Sequence, residues 1–562
     1  MESMRNNKGF VLIAALMVML VLSILGPAFL TLSLTEIQIA FNDRNATRAL
    51  YVAEMGVERA RRDLKYDANF DRNGITDQYF ASPTPVAGGT PADCSGTITW
   101  QSIPPQQRCY DLGGTIPTAS FQTLYTNTNV DTYGDGSTYT VQLGLKDSNK
   151  LTIRSEGRGP QGSTKVVDVR VEVRDLSVWG NAAFLGGSGS GARINGNVVI
   201  AGSVHILGEG LGSTGTAADF GGGAGIFNWY NGLDAIFAGR IPDINPPTLD
   251  AEIRVNEGRI LMNSGSARAG NSVSDTDIDG NPLPVGIKLR MDGVYTNYGF
   301  GGTSGDTYVY SDTGTSFRYD VPPDNMITFP SLTDPSPDVC CVTYEEFLDA
   351  NSWDPLAAIS ALGLAKSPVS GNDLKLYQNT DSFDVSVGAN RLAWNKVTKT
   401  LTVEGIIRIP GSITLGGTTG PTKIDIIYYT TGFFGGTLYA KEAGADWDEI
   451  GTSGAHQVSI TINSSLIPLG VFPTGDRLGL IAKDRIVMAR SQNKVAAAVY
   501  AENQVKIEKQ YQVVGAVVSR FLDMGAQVPR LYQMPNLVKN LPPGMPGGDT
   551  FNFVKILSWR EL

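Results

Sequence analysis

Histidines, cysteines and clustered carboxylates are the side chains in this chain that could do chemistry, and histidine is the scarcest. Only His205 and His456 occur among 562 residues. Two histidines cannot build an H-E-x-x-H helix, a His-rich metal cluster or a zinc finger. Neither stands in a pattern that would activate a Ser or Cys nucleophile. His205 falls at an alternating outward position of a short apolar strand, which predicts a surface side chain rather than a ligand. The cysteines are Cys94, Cys109, Cys340 and Cys341. Without a C-x-x-C they give neither a thioredoxin-type pair nor a zinc ribbon. Cys94 and Cys109 close a loop of 15 residues. A disulfide there would stabilise by about 3 kcal/mol, and two free thiols are the other reading. Adjacent Cys340 and Cys341 fit either a vicinal disulfide or two buried thiols.

Two stretches carry oxygen ligands at the spacing hard cations need. In the first, Asn69, Asp71, Asn73 and Asp77 take positions one, three, five and nine, with Gly74 at six. Position twelve is Phe80, and Asp67 is the upstream carboxylate that would compensate. In the second, Asp275, Asp277 and Asp279 precede Gly280 as D-x-D-x-D-G, with Gly286 at position twelve, so a complete EF-hand is excluded. Ca2+ is the cofactor both imply; a polar turn with chance spacing is the alternative. Asp275–Asp279 is the only dense acidic cluster, so a polysaccharide-cleaving β-helix lacks a second carboxylate groove, and the reading is non-enzymatic. Gly157-Arg158-Gly159-Pro160-Gln161-Gly162 is a formal G-x-G-x-x-G. It lies between strand patterns and contains Pro, so the helix a dinucleotide site requires is missing.

What must position these residues starts with the N-terminus. From Gly9 to Thr35 there is no charge. As a helix at ~1.5 Å per residue these residues span about 40 Å, more than a ~30 Å hydrocarbon layer. The flank before it is short and basic, and the small residue Gly9 precedes the apolar run rather than following it, unlike a secretory signal. The pattern continues through Ala46, Ala49, Ala53, Gly56 and Ala60, one small-residue stripe able to lie close on a sheet. Gly26-Pro27 should kink the helix.

The Gly9-Phe10 junction and the segment Ala49-Leu50-Tyr51-Val52-Ala53-Glu54-Met55-Gly56 resemble the leader and the A-x-x-x-A-E-x-G stretch of PilX-type minor type IV pilins. The resemblance implies cleavage after Gly9 by a prepilin peptidase, leaving Phe10 as the new N-terminus. It implies assembly with other pilins through the helix, first in the inner membrane and then in a cell-surface pilus. Most major pilins carry Glu as the fifth residue after the cut, and here that residue is Ala14. That departure suits a subunit at the filament tip.

Beyond the helix the periodicity switches to two. Tyr139–Leu145, Leu151–Ile153 and Val167–Val173 alternate apolar and polar residues, predicting an antiparallel meander. After Val173, Gly and Ser clusters separate short apolar runs. One frame recurs, starting at Val198, Leu401, Leu480, Val499 and Ala516, with a turn-tolerant fifth position. Two short strands and a tight corner, repeated at about 18 residues, describe a β-solenoid rung; a β-sandwich with similar hairpins is the alternative. The expected fold is therefore an α+β pilin-like head, made of a long N-terminal helix plus an antiparallel sheet, with a large all-β, solenoid-like insertion. Its limits are a leader at 1–9, a transmembrane and assembly helix at 10–65, a head at 66–175, the solenoid-like domain at 176–545 and a C-terminal strand at 546–562. A helix or two short ones are expected within 343–364, with Pro355 near the join.

Charge is uneven. Ten basic and five acidic residues lie between Asp476 and Asn540, inside a chain of net charge −10. A basic strip on an acidic body is the footprint of a phosphate-tracking site, with Lys483, Arg485, Lys506 and Arg520 as the expected nucleic-acid contacts. A solvated mixed face is the alternative, since Lys483 and Glu502 take equivalent rung positions. A pilin helix bearing so large a β module resembles the competence pilins proposed to receive DNA at a pilus tip. The sequence thus leaves three roles open: a tip minor pilin binding DNA or a surface ligand, a secretion-type pseudopilin priming assembly, and a pilus-borne adhesin.

Overall fold

The computed structural model describes residues 7–65, 122–130, 136–147, 150–175, 177–187, 192–417, 425–430, 435–442, 457–525, 528–547 and 552–561, less positions 195, 243, 245, 274, 278, 316–317, 322–326 and 335–341. These form two compact units, residues 1–175 with 551–562, and residues 176–550. Pro546 and Gly547 thus belong to the second unit, and the last strand begins at Asn552.

In the first unit, helix α1 (Asn7–Lys65) runs unbroken through Pro27. Pro27 has no N–H to give, and its carbonyl accepts from the Thr31 hydroxyl at 3.0 Å. The sheet is β1 (Gln122–Asn129), β2 (Thr138–Asp147), β3 (Lys150–Arg158), β4 (Thr164–Asp175) and the C-terminal strand Asn552–Glu561, paired antiparallel in that order. Alternation buries Val141, Leu143, Ile153, Val167, Val169 and Val171 on one face. The last third of α1 covers that face with Val52, Ala53, Val57 and Ala60.

The small-residue stripe sets how closely helix and sheet approach. Ala49, Ala53, Gly56 and Ala60 are buried, and Ala46 is partly so. A Cβ on Gly56 would meet the Ser155 hydroxyl and Val141. One on Gly157 would run into the Ala49 carbonyl and the Ala53 backbone. The glycine motif at 157–162 therefore has a packing reason: Gly157 lets β3 touch the helix backbone, and Gly162 supplies a positive φ of 78° in the turn.

The second unit is built from parallel strands in three columns. One column stacks Asp425–Tyr429, Ser465–Pro468, the starts of the long strands Lys494–Ile507 and Gln512–Met524, then Arg530–Gln533, Val199–Ala201 and Gly225–Phe227. The next stacks the end of Thr400–Ile409, Gly436–Ala440, Leu478–Ala482, the middles of the long strands, then Ala183–Leu185, Val204–Ile206, Glu252–Val255 and Gly293–Thr296. The third runs from Asp373–Leu376 through Val458–Ile462, Arg485–Met488 and the long strands' ends to Ala192–Ile194, Thr216–Phe220 and Arg259–Met262.

The order along the stack is not the order along the chain. The chain enters mid-stack at Ala183, builds outward to Gly301, and builds back from Asp373 to Gln533. Arg530–Gln533 then completes a rung with Ala183–Leu185 and Ala192–Ile194. Ile407, Leu438, Leu480, Val499, Val517, Ala183, Val204, Ile253 and Val294 form one buried ladder through both halves. Each Val, Leu and Ile among them contributes on the order of 1.5–3 kcal/mol by leaving water.

The two-strand frame of the sequence needs correcting, because a rung has three sides and the frame fits any corner. The copies at Leu480 and Val499 are in register, but Ala516 is one residue early, since Val499 pairs with Val517. Leu480's column holds Ile407 and Val204, not Leu401 and Val198. Those two copies straddle another corner, turned at Gly405 (φ 70°) and Gly202 (φ 127°). Helices α2 (Tyr344–Asn351) and α3 (Leu356–Ala361) flank Pro355, and Thr343 caps α2 in a capping box with Glu346.

Replacing Gly157 with Ala is expected to destabilise the first unit by about 1–3 kcal/mol, the usual cost of overpacking. Gly180→Ala, where the added carbon meets only ordinary contacts, should leave melting unchanged. Denaturant unfolding of the full chain in detergent micelles measures both.

Candidate functional site

Helix α1 divides sharply. From Phe10, 75% exposed, to Phe41, 45% exposed, its large apolar side chains face outward, and burial begins at Asn45. It is long and apolar enough to cross a membrane. Apart from its ends and the carbonyl that Pro27 leaves without a donor, its backbone groups are satisfied within the helix, so lipid or neighbouring helices are suitable surroundings for its side chains. Gly9 and Phe10 lie inside this helix.

The four cations expected to contact phosphate are engaged within the second unit. Lys483 Nζ donates to Glu345 Oε1 at 2.6 Å. Arg520 Nη2 donates to buried Glu502 at 2.9 Å, with its guanidinium carbon 4.7 Å from the centre of the Phe329 ring. Lys506, 40% exposed, pairs with Glu508 at 2.7 Å. Arg485 lies 3.9 Å from Asp484, and burial pushes its pKa down. The equivalence of Lys483 and Glu502 holds in the register, as the pairing of Ala482 with Ala501 shows. The four do not form one open strip.

Sequence reasoning missed what these charges hold. Described residues 319–321, 327–334 and 342–353 lie against the outside of the middle column, as a strap. Tyr319 and Asp320 cover the outward residues of two adjacent strands. His205 Nε2 lies 2.6 Å from the Tyr319 hydroxyl. Arg254 gives two N–H groups to Asp320, at 2.9 and 3.2 Å, and lies 2.6 Å from Glu252. Further along, Glu502 accepts from the Ser331 hydroxyl at 2.6 Å, the Leu332 N–H at 2.8 Å and the Tyr500 hydroxyl. Lys441 and Lys483 hold Glu345 and Asp349 of α2. His205 does point outward, but it is buried, not a surface residue. The strap residues and the strand residues they meet lie 66 to 171 residues apart in sequence, and no local pattern announces them.

The second acidic loop does not converge. Asp275 accepts from Ser272 N–H at 2.7 Å and lies 3.2 Å from Arg268. Asp277 accepts the Asp279 and Asn281 N–H groups. Partial burial opposes its ionisation, and these hydrogen bonds outweigh that to hold its pKa low. Asp279 lies 3.4 Å from Arg530. Among the described residues no three His, Cys, Asp or Glu side chains form a metal-binding group. Asp67, Asn69, Asp71, Asn73, Asp77, Cys94, Cys109, Cys340 and Cys341 lie outside the described residues.

A family model, the PilX N-terminal segment, matches residues 8–58, the helix just described. The chain therefore has a PilX-type N-terminal segment. Among solved structures, the competence-associated pilin ComZ from Thermus thermophilus is similar at 18% identity and a TM-score of 0.48, over 92% of this chain and 97% of that one. No curated protein matches.

Burial, and next the charge of Arg254, lower the His205 pKa to about 3. The unfolded chain therefore takes up a proton near the usual ~6.5 that the folded chain refuses. Stability is full above that pH and falls as pH drops toward 3. At pH 4.5 the loss is expected to reach about 2–3 kcal/mol. His205→Gln, which cannot take up this proton, should flatten that part of the pH profile of thermal unfolding. An unchanged profile would contradict this assignment.

Proposed function

We propose that this protein is a minor type IV pilin acting at or near the tip of the filament, with its second unit displayed as a β-solenoid that binds an extracellular ligand. The observation that carries the reading is the division of α1. An exposed apolar stretch suited to a membrane, and then to a bundle of like helices, continues without a break into a stripe buried on the head's own sheet. Processing between Gly9 and Phe10 by a prepilin peptidase would release the helix from its leader. The protein would wait in the inner membrane and then join other pilins at the cell surface.

Two features favour the tip. No carboxylate lies between Phe10 and Thr35, so the helix has no acid with which to pair the N-terminal amine of a neighbour within that stretch. A unit as large as residues 176–550 also resists repetition on closely spaced subunits along a shaft. The three parallel columns support the solenoid reading: each rung buries its inward row only by stacking on the next.

Gly9→Val is expected to abolish processing and remove the protein from sheared filaments. Mass spectrometry of wild-type filaments should find a chain beginning at Phe10, in low copy. A filament-borne chain retaining residues 1–9 would overturn the reading.

For the ligand, the positive balance of residues 476–540 favours DNA, and the ion pairs of Lys483, Lys506 and Arg520 oppose it. The geometry favours a ligand that is not a polyanion. Binding of duplex DNA to the full chain in detergent should be weak even at about 50 mM salt, and unchanged when Arg485 and Lys506 are neutralised. A steep salt dependence that those substitutions remove would restore a phosphate-tracking surface.

A further inference from the structure

The strands Phe383–Val387, Asn390–Asn395 and Thr400–Ile409 pair antiparallel beside the stack and bear an open groove of about 540 Å³. That lies within the ~300–1,000 Å³ range of small-molecule sites. The pairing aligns side chains in cross-strand rows. Asp384, Ala393 and Thr402 make one row; Ser386, Arg391 and Glu404 make the next. Alternation sends Leu392, Trp394, Leu401 and Val403 inward, where they are buried, and leaves a polar outer face. Ala393 is small between taller neighbours, which hollows the middle of that face.

The polar groups are held by their own partners. Arg391 donates to both oxygens of Asp384, at 2.9 and 2.7 Å, and lies 3.6 Å from Glu404. The Asn395 carboxamide oxygen accepts the Val397 and Thr398 N–H groups, at 2.9 and 3.1 Å, which leaves its NH2 end as the donor for a ligand. Thr400 and Thr402 add hydroxyls to the lining.

We propose that this groove binds a neutral saccharide, an inference that rests on reading the second unit as a displayed ligand-binding module. The lining chemistry excludes other classes. A polyanion meets an arginine already committed to Asp384 and flanked by Glu404. Phe383 and Trp394 also reach the lining, but both are buried and the Trp394 indole donates to the Thr380 carbonyl at 3.2 Å, so a purely hydrophobic ligand finds little apolar surface beside Ala393. A divalent cation finds two carboxylates split by a guanidinium. Adjacent hydroxyls of a sugar ring, each donor and acceptor, match a fixed carboxylate–guanidinium pair, an amide donor and threonine hydroxyls. A sheet that holds these groups in place lowers the ordering cost of binding.

The test uses the full chain in lauryldimethylamine oxide, a detergent without a sugar headgroup. Cellotriose, maltotriose and the trimer of N-acetylglucosamine are each presented at about 10 mM, and saturation-transfer NMR reads binding. At least one is expected to bind with Kd on the order of 1 mM, since only one open face makes contact. Asp384→Asn combined with Arg391→Gln should abolish the signal while leaving circular dichroism and melting unchanged, and Ala393→Phe, which fills the buried floor at some cost in stability, should abolish it in protein that circular dichroism shows to be folded. Silence from all three sugars, or a signal that survives Ala393→Phe, overturns the proposal. Filament incorporation of the Asp384→Asn, Arg391→Gln variant should equal wild type. If wild type itself never enters filaments, the pilin reading falls while the binding result stands.

Discussion

The second unit depends on one constraint: every strand edge in a stack must find a backbone partner. Its chain enters and leaves in the middle, so the stack is made of two runs growing in opposite directions along the sequence. Left apart, each run would present a raw edge. The rung shared by Arg530–Gln533, Ala183–Leu185 and Ala192–Ile194 turns both edges into interior. Neither half is then a closed body by itself, and their association is part of folding. The strap crosses the same seam. Phe329 lies where a Cβ on Gly186 would fall and stacks on Tyr500, so one side chain touches strands from both halves.

Burying the strap means burying charge, which costs several kcal/mol per ion unless partners and hydrogen bonds compensate. The structure compensates in full at two places. Arg254 sits between Glu252 and Asp320, and Glu502 takes donors from Ser331, Leu332, Tyr500 and Arg520. These pairs fix which strap residue meets which rung, something the apolar ladder, repetitive by nature, cannot specify. The same logic explains why basic residues cluster between Asp476 and Asn540 without making an open basic surface: several are the inner halves of ion pairs.

How much was legible follows from which patterns are local. The helix, its exposed apolar run and its small-residue stripe were readable, because a 3.6-residue period needs no partner to be seen. So was the meander of β2 to β4, and the existence of a C-terminal strand, though not which sheet it joins. β1 was not: Gln122–Asn129 reads as polar, and only its pairing with β2 makes it a strand. The repeat was visible but its register was not, because three corners of one rung share the same small-then-apolar pattern. His205 was placed on the correct face and in the wrong environment. A strand pattern gives the direction of a side chain, whereas its cover comes from Tyr319, 114 residues away. The groove around Ala393 was missed for a related reason, since its rows are assembled across strands.

The position of the insertion lets one chain carry two independent cores. β4 ends at Asp175, and its sheet partner resumes at Asn552, the two residues facing each other in register. Within the second unit the entering and leaving segments also meet: the Trp179 indole N–H donates to the Pro546 carbonyl at 2.9 Å. Both ends of the insertion are therefore close, on the host sheet and on the guest stack, which is the geometry that lets a large module be inserted without breaking either core. The helix stripe and its sheet are fixed by contacts the insertion need not touch. The groove face and the rungs are free to vary without disturbing how α1 packs. On the proposed reading, a subunit that joins a filament through one helix and meets its surroundings through another unit needs that independence. The facing ends at Asp175 and Asn552 supply it in the backbone, before any ligand is considered.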